Sequence, residues 1–186
     1  MRYPRVGFAA ALCLAVAIPA AAQTLTIDPA WSEVSFNVSN MGVNTVYGRF
    51  DQFSGRIEFN AQAPEQSTVH VVIQAASINT QIAKRDKHLQ TADFFEVSKY
   101  PELTFESQSI ETKSESRVMN GLLTIKGQTH PVTIPFTFTT ATANGKTILH
   151  AEGKTEINRH DFSLNYGSDF SVGKTVSIHL SVAASE

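Results

Sequence analysis

The chain has 186 residues, of which 42% are hydrophobic and 17% charged, and its formal net charge is −2. That balance argues against nucleic acid or an anionic membrane as the main partner, and the length suits one domain with a sizeable core. The single cysteine, Cys13, lies in an N-terminal leader, so the rest of the chain has no disulfide, thiolate metal site or cysteine nucleophile.

The leader opens with Arg2 and Arg5, continues through the apolar run Val6 to Ile18, and ends in Ala20-Ala21-Ala22 before Gln23. This reads as an export signal over residues 1–22, cleaved near Ala22, followed by one domain at 23–186. The run is shorter than the roughly 20 apolar residues of a confident membrane span, and no later segment approaches that length. Leu12 ahead of Cys13, and an apolar run that continues past it, argue against lipidation.

After Asp28-Pro29, Trp31 to Val38 alternates apolar and polar residues, with Val34, Phe36 and Val38 sharing one face of a half-buried strand. Tyr47 to Asn60 reads as a long strand with bends or bulges at Gly48 and Gly55, and Thr68 to Ala75 as another that groups Val69, Val71 and Ile73. Between Thr80 and Phe105 the alternation stops. Ile82 to Thr91 has helical composition, Asp93 and Glu96 have capping-box spacing for a short turn carrying Phe94 and Phe95, and Tyr100-Pro101 ends it.

Leu103 and Phe105 resume the alternation, with a turn at Ser114 to Ser116. Val118 to Ile125 and Val132 to Thr139 flank Lys126-Gly127, where the glycine supplies a positive φ, and the second groups Val132, Ile134, Phe136 and Phe138. Pro131 and Pro135 suggest an edge, a bulge or a strand end there, and an exposed edge beside Pro135 would permit a homodimer. Asn144-Gly145 is a hairpin signal into Thr147 to Glu156, whose wet face is His150, Glu152, Lys154 and Glu156. Thr175 to Ala183 closes the series, with Val176, Ile178, Leu180 and Val182 facing one way.

About eight strands with one short helical insertion cannot leave an apolar sheet face in water, so the sheet must close or fold into two layers. Closure into an antiparallel β-barrel is favoured over an immunoglobulin-like sandwich, because two strands are long and no Cys…Trp…Cys pattern occurs. A barrel of this size is either filled by its own side chains or holds one small ligand. Of the 12 phenylalanines only Phe8 lies in the leader, and the rest serve either reading, core or lumen.

No Walker loop, GxGxxG or GxSxG is present, and the six histidines, His70, His88, His130, His150, His160 and His179, include no pair at common metal-site spacing. Lys84, Arg85 and Lys87 form either a solvated helix face or, near a barrel mouth, a contact for an anionic head group.

The run RDKHLQTADFFEVSKYPELTFES resembles the hallmark of the YceI-like proteins, bacterial periplasmic proteins of lipocalin-like fold implicated in binding polyisoprenoid lipids. The likeness extends to LTIDPAWSEVSFNV, GRFDQFSGRIEF, GLLTIKGQTHPVTIPFTF and INRHDFSL, in order along nearly the whole chain after the leader. It implies an all-β, closed, lipocalin-like barrel in the periplasm whose hydrophobic lumen holds a long isoprenoid or other fatty amphiphile, with no catalysis, cofactor or metal. Where the family often has histidine this chain has Trp31 and Asn40, and where glycine is usual it has Ser163.

On that reading the lumen is lined by Phe36, Val38, Phe50, Ile57, Phe59, Val71, Ile73, Phe105, Leu123, Ile125, Phe136, Phe138, Ile178 and Leu180, with Phe94 and Phe95 offered from the excursion. Arg85, Lys87 and Arg159 are the candidate head-group contacts. The excursion becomes a plug or gate, and the partners are the lipid together with transient contact to a membrane or a membrane redox protein. Two alternatives stay open: an enzyme acting on such a lipid through Arg159, His160 and Asp161, and a filled barrel used as an interaction module.

Overall fold

The computed structural model describes residues 22–113 and 116–186. The export-signal reading, apart from Ala22, and the turn expected at Ser114 to Ser116, apart from Ser116, lie outside the described residues.

Local breaks shape the first half of the sheet. β1 (Gln23–Ile27) and β2 (Glu33–Asn40) form one path interrupted by a 3-10 turn at Pro29–Trp31, where Asp28 caps the turn by accepting a 2.9 Å bond from the Ala30 amide. Trp31 therefore lies in this turn, exposed, and not in the strand expected from it. β3 (Asn44–Phe50) and β4 (Phe53–Phe59) are separated by Asp51-Gln52, and β5 (Thr68–Gln74) and β6 (Ile78–Asn79) by a second 3-10 turn. Five unbroken strands follow: β7 (Glu102–Lys113), β8 (Ser116–Ile125), β9 (Gln128–Ala143), β10 (Lys146–Asn158) and β11 (Val172–Ser185).

The pairings run β1-β4-β5-β7-β8-β9-β10-β11 and return to β1 through Thr26↔Ser185 and Ile27↔Ala184, which closes an eight-stranded antiparallel barrel. β2, β3 and β6 carry the three broken strands onward along β11, whose Val172 to Ser181 faces β2. Closure leaves the alternating apolar faces no exit except inward. The core accordingly joins Leu25, Ile57, Phe59, Phe105, Leu123, Ile134 and Leu149 from around the ring.

Gly48 and Gly55 lie within ladders and are not the break expected on Tyr47 to Asn60, which falls at Asp51-Gln52. Gly48 makes room for the Phe36 ring, and Gly55 for the His70 carbonyl and the Ile27 side chain. At Gly121 an added Cβ would stand 2.5 Å from the Phe105 ring and 2.6 Å from the Glu106 carbonyl. The backbone cannot yield there, so Gly121→Ala is expected to destabilise by about 1–3 kcal/mol. Urea unfolding checks this: the midpoint should drop with the slope unchanged.

Pro135 is not on an outer edge, because β9 lies between β8 and β10 and Pro135 is paired with Val118. The proline sits one residue past Phe136↔Gly153, where the β9–β10 ladder stops. The edge expected to permit a homodimer is therefore inside the barrel wall.

The excursion contains α1 (Ala83–Leu89) followed by turns through residue 99. Asp93 and Glu96 do not form a capping box: Glu96 takes φ 49°, and the Asp93 carboxylate meets His88 Nε2 at 2.8 Å. By strand register, the excursion, the Met41-Gly42-Val43 turn, the Lys126-Gly127 turn and the loop after β10 share one end of the barrel. Lys126 ties that end together by donating to the Ala92 carbonyl at 2.8 Å, and Gly127, at φ 73°, packs against Tyr100. Residues 60–67 and the Asn144-Gly145 turn lie at the other end, the rim remote from the excursion.

An apolar barrel lumen as the candidate functional site

The inward faces do not fill the barrel. A cavity of about 260 Å³ runs through it, and every lumen position named from the sequence borders it, including Phe94 and Phe95. By the same measure one water needs about 10–15 Å³, so this is a chamber and not a packing defect. Phe36, Val71, Phe136 and Ile178 face inward yet are only half-buried, because they border open space. Leu89, Ile110, Met119, Leu149, Ala151 and Ile157 also line it. On the strands these follow the same period of two as the residues already named.

Aromatic rings line the chamber in contact with one another. Phe50 lies between Phe36 and Phe95, 5.9 Å from each, and Phe138 lies between Phe59 at 5.7 Å and Phe136 at 6.4 Å. At the capped end His88, Phe94 and Tyr166 form a triangle with ring separations of 4.8–5.1 Å. The excursion is thus held over the chamber by contacts to the body and to the loop after β10.

Two of the three candidate head-group residues are committed elsewhere. Arg85 donates through Nε to Thr80 Oγ1 at 2.7 Å and through Nη2 to the Thr80 carbonyl at 2.8 Å, while Thr80 bonds Asp86; this knot anchors the start of α1. Arg159 borders the cavity but is only 2% exposed, and its donors reach the carbonyls of Leu164, Val172 at 2.9 Å and Gly173 at 3.1 Å, with Asp169 at 3.5 Å. Burial pulls its pKa down, and Asp169 opposes that shift. Arg159 organises the loop and does not present a free charge. Lys87 is exposed on α1 and does not border the chamber.

Nor do Arg159, His160 and Asp161 act together. Asp161 accepts a bond from Asn158 Nδ2 at 3.1 Å, and His160 is held by Asn165 through Nδ1 and by Asp169 through Nε2, both at 2.7 Å. Only the protonated ring donates to both, so the bond to Asp169 first, then that to Asn165, raises the His160 pKa, and the same bond lowers that of Asp169. Among the described residues no group of three His, Asp or Glu side chains is placed to hold a metal. Ser163, at φ 57°, ends the 3-10 turn at Arg159–Phe162 in the left-handed conformation that suits glycine.

The His160–Asp169 bond has a pH window. A raised histidine pKa contributes fully below its unfolded value near 6.5 and is lost as pH rises through the higher folded value. A lowered Asp169 pKa contributes above 3.8 and is lost as pH falls through the lower folded value. Residues 163–171 should therefore be most protected between those limits and loosen at alkaline pH. Amide exchange at pH 5.5 and 8.5, corrected for intrinsic rates, reads this, and His160→Gln should flatten the difference.

At the rim remote from the excursion, one inward position carries a charge. Arg117, near the start of β8, pairs with Phe136 across the ladder and lays its guanidinium over the Phe138 ring, 4.5 Å from the centroid.

The sequence model of the YceI-like domain matches residues 25–184. A UPF0312 protein of Ectopseudomonas mendocina is 42% identical over 106 residues, 56% of this chain and 56% of that one, so the match spans about half of the relative. Among solved structures, BcnA of Burkholderia cenocepacia superposes with a TM-score of 0.75 at 25% identity, covering 84% of this chain and 98% of that one. A polyisoprenoid binding domain from Saccharophagus degradans, implicated in plant cell wall breakdown, shares the fold with a TM-score of 0.65 at 17% identity over 86% of this chain and 97% of that domain.

Proposed function

Because the chain belongs to the YceI-like domain family, we propose that its lumen holds an isoprenoid or other long-chain amphiphile, and that it serves in the periplasm as a non-catalytic binding or carrier protein. The observation that carries this reading is the chamber itself: about 260 Å³ bordered almost wholly by apolar side chains from every strand path of the barrel. A chain threaded there needs no dense polar contacts. Each buried CH₂ contributes about 0.8 kcal/mol, so ten contribute roughly 8 kcal/mol before the cost of immobilising the ligand.

The polyisoprenoid binding named for the Saccharophagus domain, on the same fold, supports this class of ligand. The basic, apolar and small-residue succession of the leader supports export. A carrier role includes loading from, or delivery to, a membrane or a membrane redox protein. The excursion, with Phe94 and Phe95 against the chamber, is then the element that moves aside.

Native mass spectrometry of protein purified from its own periplasm, followed by solvent extraction, tests the proposal. A retained long-chain lipid is the expected result. No bound lipid, together with no uptake of a prenyl probe, overturns it.

A further inference from the structure

We infer that the lumen's ligand carries an anionic head group, a phosphate or carboxylate on a long apolar chain, held by Arg117 at the rim remote from the excursion; this rests on the lumen reading above. Arg117 faces inward by register. It is cross-strand from Phe136, and two positions along β8 Met119 lines the cavity opposite Ile134. The other neighbour in register is Thr112 of β7, an exposed residue, whereas Ile110, two positions deeper, is buried. Arg117 does not itself border the cavity; it stands over Phe138, which does, and beside the exposed Thr112, between the apolar chamber and water.

What singles it out is an unmet hydrogen bond. Arg117 Nε is the one buried side-chain nitrogen or oxygen without a partner among the described residues. Arg49 and Arg56 have carboxylate partners within 4.0 Å, Arg85 has Thr80, and Arg159 has its carbonyls. Arg117 has only the face of Phe138, and no carboxylate among the described residues lies within ion-pair distance of it. A buried donor left unpaired is costly, and such exceptions point to a group that arrives from outside. A planar guanidinium fixed on a ring offers paired N–H groups that match two oxygens of a phosphate or carboxylate.

The placement also orients the chain. From Arg117 to Ile125 the strand covers on the order of 26 Å at about 3.3 Å per residue. Ile125 lies at the capped end, beside the excursion. The head group therefore stays at the rim remote from α1, and the tail runs toward Phe95.

The test compares geranylgeranyl monophosphate with geranylgeraniol, equal chains that differ in charge, by displacement of a fluorescent probe from delipidated protein. Wild type should prefer the phosphate about tenfold or more, R117M should bind both alike with geranylgeraniol unchanged, and R117K should keep part of the preference. Removing an unpaired group should not lower the thermal midpoint of ligand-free R117M, which separates this role from a structural one. Equal binding by wild type, or a preference that survives in R117M, overturns the inference and leaves the lumen reading standing. Displacement of the prenyl phosphate by millimolar inorganic phosphate makes Arg117 a free-phosphate site and overturns the lipid assignment. Failure to bind either prenyl compound removes the lumen reading and this inference with it.

Discussion

Arg159→Met is expected to destabilise the protein by about 3 kcal/mol and to release the loop from residue 163 to 171. Methionine keeps the length and apolar stem of the side chain but removes every donor, so the carbonyls of Leu164, Val172 and Gly173 lose their shared partner inside the protein. Arg159→Lys should rescue little, because one ammonium cannot reach in the several directions the guanidinium serves. Asp161→Asn, two residues away and bonded only to Asn158, should stay within about 0.5 kcal/mol of wild type. Urea unfolding measures the energies. Amide exchange shows whether the loss is concentrated in the loop, as this geometry requires.

Ala151→Trp should abolish lumen binding while the barrel stays folded. Ala151 lines the chamber midway along β10, between Phe138 and Val182 in register, so an indole there projects into empty space. Overpacking is costly where a core is full, and this one has room. Uptake of a prenyl probe should fall by at least about tenfold, since each methylene position denied to the ligand removes about 0.8 kcal/mol. Lys154→Trp, three residues along β10, exposed and not bordering the chamber, is the control and should bind as wild type. Retained uptake by Ala151→Trp would mean the probe binds elsewhere.

Much of the barrel was legible before the structure. Val132 to Phe138 alternates without a fault, and Asn144-Gly145, with φ values of 53° and 77°, turns the chain as its side chains require. The interruptions at Pro29–Trp31 and Asp51-Gln52 were not legible in the same way. Each path keeps its apolar alternation on both sides, and only the change of partner, from β1–β4 to β2–β3, reveals the break.

The charged residues were harder to place, for one physical reason: the partners of Arg85 and Arg159 include backbone carbonyls, and a carbonyl has no letter in a sequence. Arg117 was hidden by a boundary. With the strand begun at Val118, the inward period from Met119 stops one residue short of it, whereas β8 begins at Ser116.

The seam where β1 meets β11 has a consequence for how the chain becomes a barrel. Thr26↔Ser185 and Ile27↔Ala184 join opposite ends of the sequence, so the ring cannot close until the last strand has been made. Until then an open, curling sheet exposes the face that later borders the lumen, and contacts of such long sequence separation form slowly. A long-chain amphiphile met at that stage could settle on the same face before the seam shuts, which makes the order of folding and filling a matter of timing as well as affinity.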